Sequence, residues 1–481
     1  MTKYLRIVFF FLVSLYLLSS IINLQGSYLY DWDEAIYAQV GREMVANKTI
    51  FGVWNGAPWL EKPPLVPLIS GLFMKFPLGS TEFLARLPSF LAGLGVLYLL
   101  FKILKEKFKK EYLKYFTITT TFLLLSAPFM NRMTSLNTDI FLVFGWLGFY
   151  YYYKKSFVAS TLFLFIAVMS KSFLGFFPIL VILIESVILE RSDRISTVIL
   201  NRRLAVKDLG VAVLISLTWF FLAFLRFGNL FLQENLYDHL VARVVKPVEL
   251  HYGGYLFYPK LLFSYYNIFL ILIIISIAYI LYSLVERKRK ELLFIPLFLM
   301  YGAIISLAKT KLNWYIFPIL PFLGLSFSIL IMDFLKKFKI KDTVLWLVLS
   351  VIFFVGVFVS GGFTLRLHKE KPTDLVSLAL YAKTKCRSTA IVANNDEQKF
   401  FDVINAANVQ ISSTFRYGGS PSFRFYADQL VLYKYDKTPN RDIVDHTDCV
   451  IIPLDSHFLF KSKDWEVSTQ KDGFVLYKQI N

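Results

Sequence analysis

Apolar runs of about 16–25 residues, each followed by a short polar connection, set the pattern of this chain, and that length spans hydrocarbon as a helix. Eleven such runs are predicted, at roughly 5–24, 83–101, 115–131, 136–153, 157–170, 173–189, 209–226, 260–284, 292–308, 314–332 and 343–363. The first is long and no A-x-A cleavage site follows it, so it reads as an anchor rather than a secretory signal. Two connections are much longer than the rest, 27–82 and 227–259, and from about residue 366 the apolar runs stop. In the first of these, "AIYAQVGREM" has helical spacing, with Ile36, Val40 and Met44 along one side and Tyr37 beside them. Further on, Pro63-Pro64 precede a short apolar segment expected to start a helix along the membrane interface, with Trp54 and Trp59 at anchoring depth. In the tail, "TAIVANN", "QLVLYKY" and "DCVIIPL" predict short buried strands and "TDLVSLALYAKTK" an amphipathic helix. The expected fold is a polytopic α-helical membrane protein with about eleven transmembrane helices. Its membrane domain covers residues 1–365, with outside loop helices, and a soluble α/β domain covers 366–481. Gly253-Gly254 predict a turn before the eighth span, and "FYYYY" at 149–153 an interfacial aromatic belt.

Composition agrees with this pattern: of 481 residues 56% are hydrophobic and the mean hydropathy is +0.55, too apolar for a soluble domain. The net charge of +18 raises the question of nucleic acid, and its distribution answers it. With the N-terminus inside, the short inside segments ("KILKEKFKKEYLK", "YKK", "RSDRISTVILNRRLAVK", "ERKRK", "KKFKIKD" and the N-terminal end) hold 23 of the Lys and Arg residues. The outside loops hold 13 and the tail 16, so the basic residues set orientation and meet anionic lipid heads. They are not a nucleic-acid footprint. This orientation puts 27–82, 227–259 and 366–481 on the outer face of a cytoplasmic membrane, so chemistry is expected there. Cys386 and Cys449 both lie in the tail, each beside a strand candidate, and read equally as a disulfide or as two buried thiols. There is no sequence repeat, Walker or Rossmann glycine loop, C-x-x-C or H-E-x-x-H.

Charge crowds the outer membrane boundary. Asp31, Asp33 and Glu34 follow the first span, Glu61-Lys62 precede the prolines, and Arg86, Asp139, Lys171, Lys309 and Lys311 sit at the ends of other spans. Each has a plain reading. Asp33 as a helix cap with Glu34 on the helix dipole, Glu61-Lys62 as a solvated pair, and snorkelling lysines account for most of them. Asp139 is not covered, because an ionisable group this close to hydrocarbon is costly unless paired or facing a polar cavity.

Several segments, in order, carry a resemblance: "WDEAIYAQVGREM", "WNGAPWLEKPP", "EFLARLPSFLAGL", "TDIFLVF", "SKSFLGFFP", "FLQENLYDHLVARVV" and "SLAKTKLNWYIFPILPFLGL". Together they resemble the GT-C class of membrane glycosyltransferases, specifically the family of the lipid A aminoarabinose transferase and the bacterial relatives of protein O-mannosyltransferases. The resemblance implies transfer of a sugar, with inversion, from a polyprenyl-phosphate donor to a lipid A, glycan or protein acceptor. It implies Asp33 as the base, with Asp139 and Glu61 as further acidic positions. It implies Lys62, Arg243 and Tyr315 as phosphate ligands, with Arg86, Lys171, Lys309 and Lys311 as secondary ones, and Glu34, Tyr37, Glu234 and His239 near the substrate. Where the family often has Arg-Tyr-Ala-Glu after the Asp-Glu pair, this chain has Ile36-Tyr37-Ala38-Gln39, which bears on the acceptor more than on the reaction. His239 and His251 read first as loop hydrogen-bonders. A divalent metal shared by Glu61 with either one is the weaker alternative, since clustered ligands are missing. The rival from another class is a secondary transporter or lipid flippase, which tends to show repeated halves and a midplane site.

Overall fold

The computed structural model describes residues 1–190, 198–267, 269–286, 289–366, 368–418, 420–435, 447–455, 464–471 and 473–480. Ser192 and part of the basic segment around it lie outside these, as do Arg287 and Lys288. The chain is predominantly helical, as its apolar periodicity requires. Among the described residues seven helical stretches are long and apolar enough to cross a membrane: Thr2–Gln25, Thr81–Leu124, Phe157–Ile188, Lys207–Phe227, Lys290–Leu307, Asn313–Lys337 and Asp342–Val359. An eighth arises if the bent pair Phe257–Tyr266 and Phe269–Val285, at 119° to each other, acts as one span.

Every predicted apolar run has a helical counterpart; the tally among the described residues is lower than eleven because runs 83–101 and 115–131 share the 44-residue stretch Thr81–Leu124, runs 157–170 and 173–189 share the 32-residue stretch Phe157–Ile188, and run 136–153 forms a short helix. Helix Asp139–Tyr152 has 14 residues and therefore rises only about 21 Å, short of the roughly 30 Å of hydrocarbon. The run at 115–131 breaks after Leu124, and a new helix, Ala127–Thr134, begins with a proline in its first turn. The Gly253-Gly254 turn is present: the Phe257 amide donates to the Gly254 carbonyl at 3.0 Å and starts the next helix.

The chain divides into two compact units. The first comprises Met1–Leu24, Arg86–Arg226 and Gly253–Leu367, the greater part of the apolar helices. Its core is aromatic: Trp146 lies against Phe177, Phe298 and Tyr301, with ring centroids 4.9–6.0 Å apart.

The second unit gathers Gln25–Ala85, Phe227–Tyr252 and His368–Asn481, so both long polar connections fold together with the tail. Helix Asp33–Ala46 crosses helix Leu65–Phe73 where Gly41 meets Pro67 and Gly71. A Cβ on Gly41 would lie 2.0 Å from the Pro67 carbonyl oxygen, so no side chain fits. Between these helices, strands β1 (Gly52–Trp54) and β2 (Ala57–Trp59) form a hairpin. Its two-residue turn is Asn55-Gly56, both at positive φ, the geometry for which Asn-Gly is best suited. Trp54 and Trp59 are buried within this unit rather than serving as interfacial anchors, because the hairpin turns both indoles inward onto Tyr417 and Tyr37.

The tail builds a mixed five-stranded sheet from β3 (Ser388–Val392), β4 (Leu430–Lys434), β5 (Cys449–Pro453), β6 (Trp465–Lys471) and β7 (Phe474–Gln479), in the order β4-β3-β5-β7-β6. β3 runs parallel to β4 and β5; β7 is antiparallel to β5 and β6. Ala390, Val392, Val450, Ile452, Val475 and Tyr477 form its core. Helix Asp374–Lys385 and the three strands read from sequence are present. Cys386 and Cys449 are joined as a disulfide that ties the end of this helix to β5.

Candidate active site

Helix Asp33–Ala46 starts sharply. Its cap residue, Trp32, is held at φ 68°, ψ −126°, a region non-glycine residues avoid, and no side chain caps the helix. Asp33 is therefore the first helical residue, not its cap, and its carboxylate is committed elsewhere. Oδ1 accepts from the Tyr37 hydroxyl at 3.2 Å, one turn along, and lies 3.5 Å from Lys62 Nζ. Lys62 Nζ also donates to the Tyr37 hydroxyl. Burial disfavours the ammonium, but Asp33 and Tyr37 outweigh it and raise the Lys62 pKa above its ordinary value, with Arg243 opposing. Asp33 stays 34% exposed and Lys62 25%, so both remain open to a ligand.

Glu61, beside Lys62, faces a different set. Its carboxylate lies 3.3 Å from His239 Nε2 and 3.3 Å from Arg416 Nη1, and accepts from the Tyr417 hydroxyl. Burial opposes its charge, yet His239, Arg416 and Tyr417 together pull its pKa down to about 2. Burial, helped by Arg243 and Lys62, lowers the His239 pKa despite Glu61. The imidazole is therefore neutral near pH 7. Arg416 grips Glu234 with both terminal nitrogens, and Glu234 in turn accepts from the Leu60 amide at 3.1 Å. Glu234 and His239 reach the same place because Leu232–Val241 is a π-helix, whose i→i+5 bonding brings residues five apart onto one face.

The other two members of the opening carboxylate group face other partners. Asp31 accepts from the Ser422 amide at 2.8 Å and from the Ser420 hydroxyl, capping helix Pro421–Ala427. Glu34 is buried and accepts from the Tyr30 amide at 2.9 Å.

In the first unit, Asp139 begins helix Asp139–Tyr152, whose first amides, those of Asp139 and Ile140, donate to the Asn137 side chain at 3.0 and 3.1 Å. Its carboxylate, 2% exposed, accepts from Lys171 and lies 3.8 Å from Arg132 Nη1. Lys171 sits over the Tyr315 ring at 5.0 Å and Arg132 over the Trp314 ring at 5.3 Å. Two further cations named from sequence donate to backbone carbonyls. Lys311 gives its ammonium to the carbonyls of Ile305, Ser306 and Ala308 at 2.6–3.2 Å, closing the end of helix Phe294–Leu307. All three of its donors are thereby occupied. Arg86, fully buried, donates to the Leu24 carbonyl at 2.8 Å. Lys309 is exposed.

Among the described residues no three His, Cys, Asp or Glu side chains converge as a metal site. His251 is exposed and turns its ring to the Val248 carbonyl at 3.2 Å, leaving Glu61 and His239 as a pair without a third ligand. Arg416 and Tyr417 are the residues that sequence reasoning missed. Their segment, "TFRYGG", carries no motif, and only the fold brings it to Glu61.

Residues 61–219 match the family described as dolichyl-phosphate-mannose-protein mannosyltransferase. An uncharacterised protein of Aquifex aeolicus (strain VF5) is 27% identical over 313 residues, 63% of this chain and 68% of that one. Among solved structures, ArnT from Cupriavidus metallidurans bound to undecaprenyl phosphate superposes with a TM-score of 0.72 at 14% identity, over 99% of this chain and 98% of that one. The archaeal oligosaccharyltransferase AglB from Archaeoglobus fulgidus, in complex with an inhibitory peptide and a dolichol-phosphate, superposes with a TM-score of 0.56 at 11% identity, over 93% of this chain and 70% of that one. The chain is thus a multi-pass membrane protein with the fold of these enzymes.

Proposed function

We propose that this protein is a GT-C glycosyltransferase that moves a sugar from a polyprenyl-phosphate donor to an acceptor hydroxyl or phosphate at the outer face of the cytoplasmic membrane. The observation that carries the proposal is the half-open cluster of Asp33, Tyr37 and Lys62, with Arg243 near enough to act on Lys62. The family match and the likeness to ArnT and AglB, solved with polyprenyl phosphates, support the substrate class.

The chemistry follows from the groups present. The acceptor oxygen attacks the anomeric carbon while the bond from that carbon to the donor phosphate breaks, and the bonding pair leaves on the phosphate oxygen. Asp33 takes the acceptor's proton. Lys62 and Arg243 meet the charge appearing on the departing phosphate, which then needs no proton of its own. A phosphate arriving at Lys62 also draws the ammonium from Asp33 and frees the carboxylate as a base. Glu61, His239, Glu234 and Arg416 hold the segment that carries Lys62. The test is sugar transfer by the purified protein in reconstituted bilayers from a polyprenyl-phosphate-linked donor, with the acceptor first named by comparing cell-envelope extracts of a deletion strain by mass spectrometry. An unchanged envelope together with no transfer to any envelope fraction would overturn the reading.

The same proposal puts residues 27–82, 227–259 and 366–481 outside. Cysteines introduced at the exposed positions Asp396 and Lys109 report this orientation. An impermeant reagent on intact cells should label the first and not the second. The reverse pattern would remove the argument for outer-face chemistry.

A further inference from the structure

Helix Asp139–Tyr152 carries a second charged cluster at the end opposite Asp139, about 18 Å away along the axis at 1.5 Å per residue. Here the Tyr151 ring holds two ammonium groups at once, Lys155 at 3.3 Å and Lys102 at 5.8 Å from its centroid. The two nitrogens are therefore no more than about 9 Å apart, a span that a phosphate with its bound oxygens can bridge. Glu106 pairs with Lys155 and fixes it against the Tyr151 ring. Lys102 also lies over the Tyr98 ring at 5.8 Å, and Lys105 and Lys154 beside them are exposed.

The surface leading to this cluster is apolar in one direction only. On helix Thr81–Phe108, Leu91, Tyr98, Lys102 and Lys105 are spaced seven, four and three residues apart, which puts them on one face. Leu91 is 46% and Tyr98 55% exposed. The face thus runs from an aliphatic side chain, through an amphipathic ring, to paired ammonium groups, which is the polarity order of a phospholipid lying along a helix. A soluble anion has no use for the Leu91 end, and a nucleic acid has none for a site with its long axis in hydrocarbon.

We infer that Lys102, Lys155 and Tyr151 form a binding site for one anionic phospholipid, its phosphate between the two ammonium groups and an acyl chain along Tyr98 and Leu91. Lys105 and Lys154 add attraction at the rim. The site is remote from Asp139 and owes nothing to the transfer reaction, so it stands or falls independently of the proposed function.

The test uses the full-length protein in detergent and native mass spectrometry with phosphatidylglycerol competing against phosphatidylcholine of identical acyl chains. Wild-type protein should retain one phosphatidylglycerol in preference. Lys102→Gln/Lys155→Gln should lower the ratio of retained phosphatidylglycerol to phosphatidylcholine by about tenfold or more, since each basic residue near the surface contributes to the attraction of an anionic head. Lys337→Gln, at the end of a different helix, should change nothing. Melting curves in the same detergent check that each variant is folded. No preference in the wild type, or the wild-type preference persisting in the folded double variant, would overturn the site. So would an equal loss from Lys337→Gln, which would mean a diffuse charge effect.

Discussion

The two aspartates at the starts of helices invite comparison because their neighbourhoods are nearly the same list. Asp33 has Lys62 and Tyr37, with Arg243 acting on Lys62; Asp139 has Lys171 and Arg132, with the Tyr315 ring under Lys171. What differs is exposure, 34% for Asp33 against 2% for Asp139. A buried carboxylate between two cations is held in a closed set, where removing one member strands the others in a medium of low dielectric. A half-open carboxylate with a shared lysine can exchange that partner for an incoming phosphate. The same residue types thus give a closed ion cluster in one unit and a half-open one in the other.

The sharpest way to break this contrast is Asp33→Asn. The residue caps nothing, so the helix should persist, while turnover should fall by about a hundredfold or more with the loss of the proton acceptor. Full activity would move the base elsewhere. Asp139→Asn should do the opposite kind of damage: Lys171 and Arg132 are left uncompensated, costing about 3–5 kcal/mol. The readout is a lower melting temperature and poorer yield, and a stable, well-expressed variant would show that the cluster is not closed. Lys62→Ala comes next. Turnover should fall by about a hundredfold, the scale of losing one preorganised donor to a developing charge, while donor binding falls less. An unchanged rate would make Lys62 a surface partner of Asp33.

A smaller effect sharpens the comparison through pH. Folding lowers the His239 pKa below that of the unfolded chain, so the stability tied to the neutral ring is present above the ordinary histidine range and is lost as the pH falls through it. Glu61, pulled down to about 2, does not titrate in that window. Melting temperature should therefore decline from pH 7.5 to 5.5 in the wild type and decline less in His239→Gln. Equal slopes would remove His239 from the network. The smallest effect is expected for Glu34→Gln, where the amide oxygen can still accept from the Tyr30 amide. Transfer should stay within about twofold, as fits a change that keeps a single hydrogen bond.

The helical membrane character, the tail's first three strands and the helix after Asp33 were legible in the chain alone, because apolar length and period 2 or 3.6 are local properties. The hairpin has a local signal as well, the Asn55-Gly56 turn within "WNGAPW". What the sequence could not supply is which charges remain available. Lys311 looks like a phosphate ligand along the chain, and the fold gives all three of its donors to backbone carbonyls; Arg86 looks like another and is buried, with one donor on the Leu24 carbonyl. Asp31 looks like a third acid and caps a helix some 390 residues later. Arg416 reaches Glu61 across 355 residues. Periodicity reports how a segment meets hydrocarbon or water. The partner of a charge is set by where distant segments pack, and burial then decides whether that charge reacts or only holds the structure together.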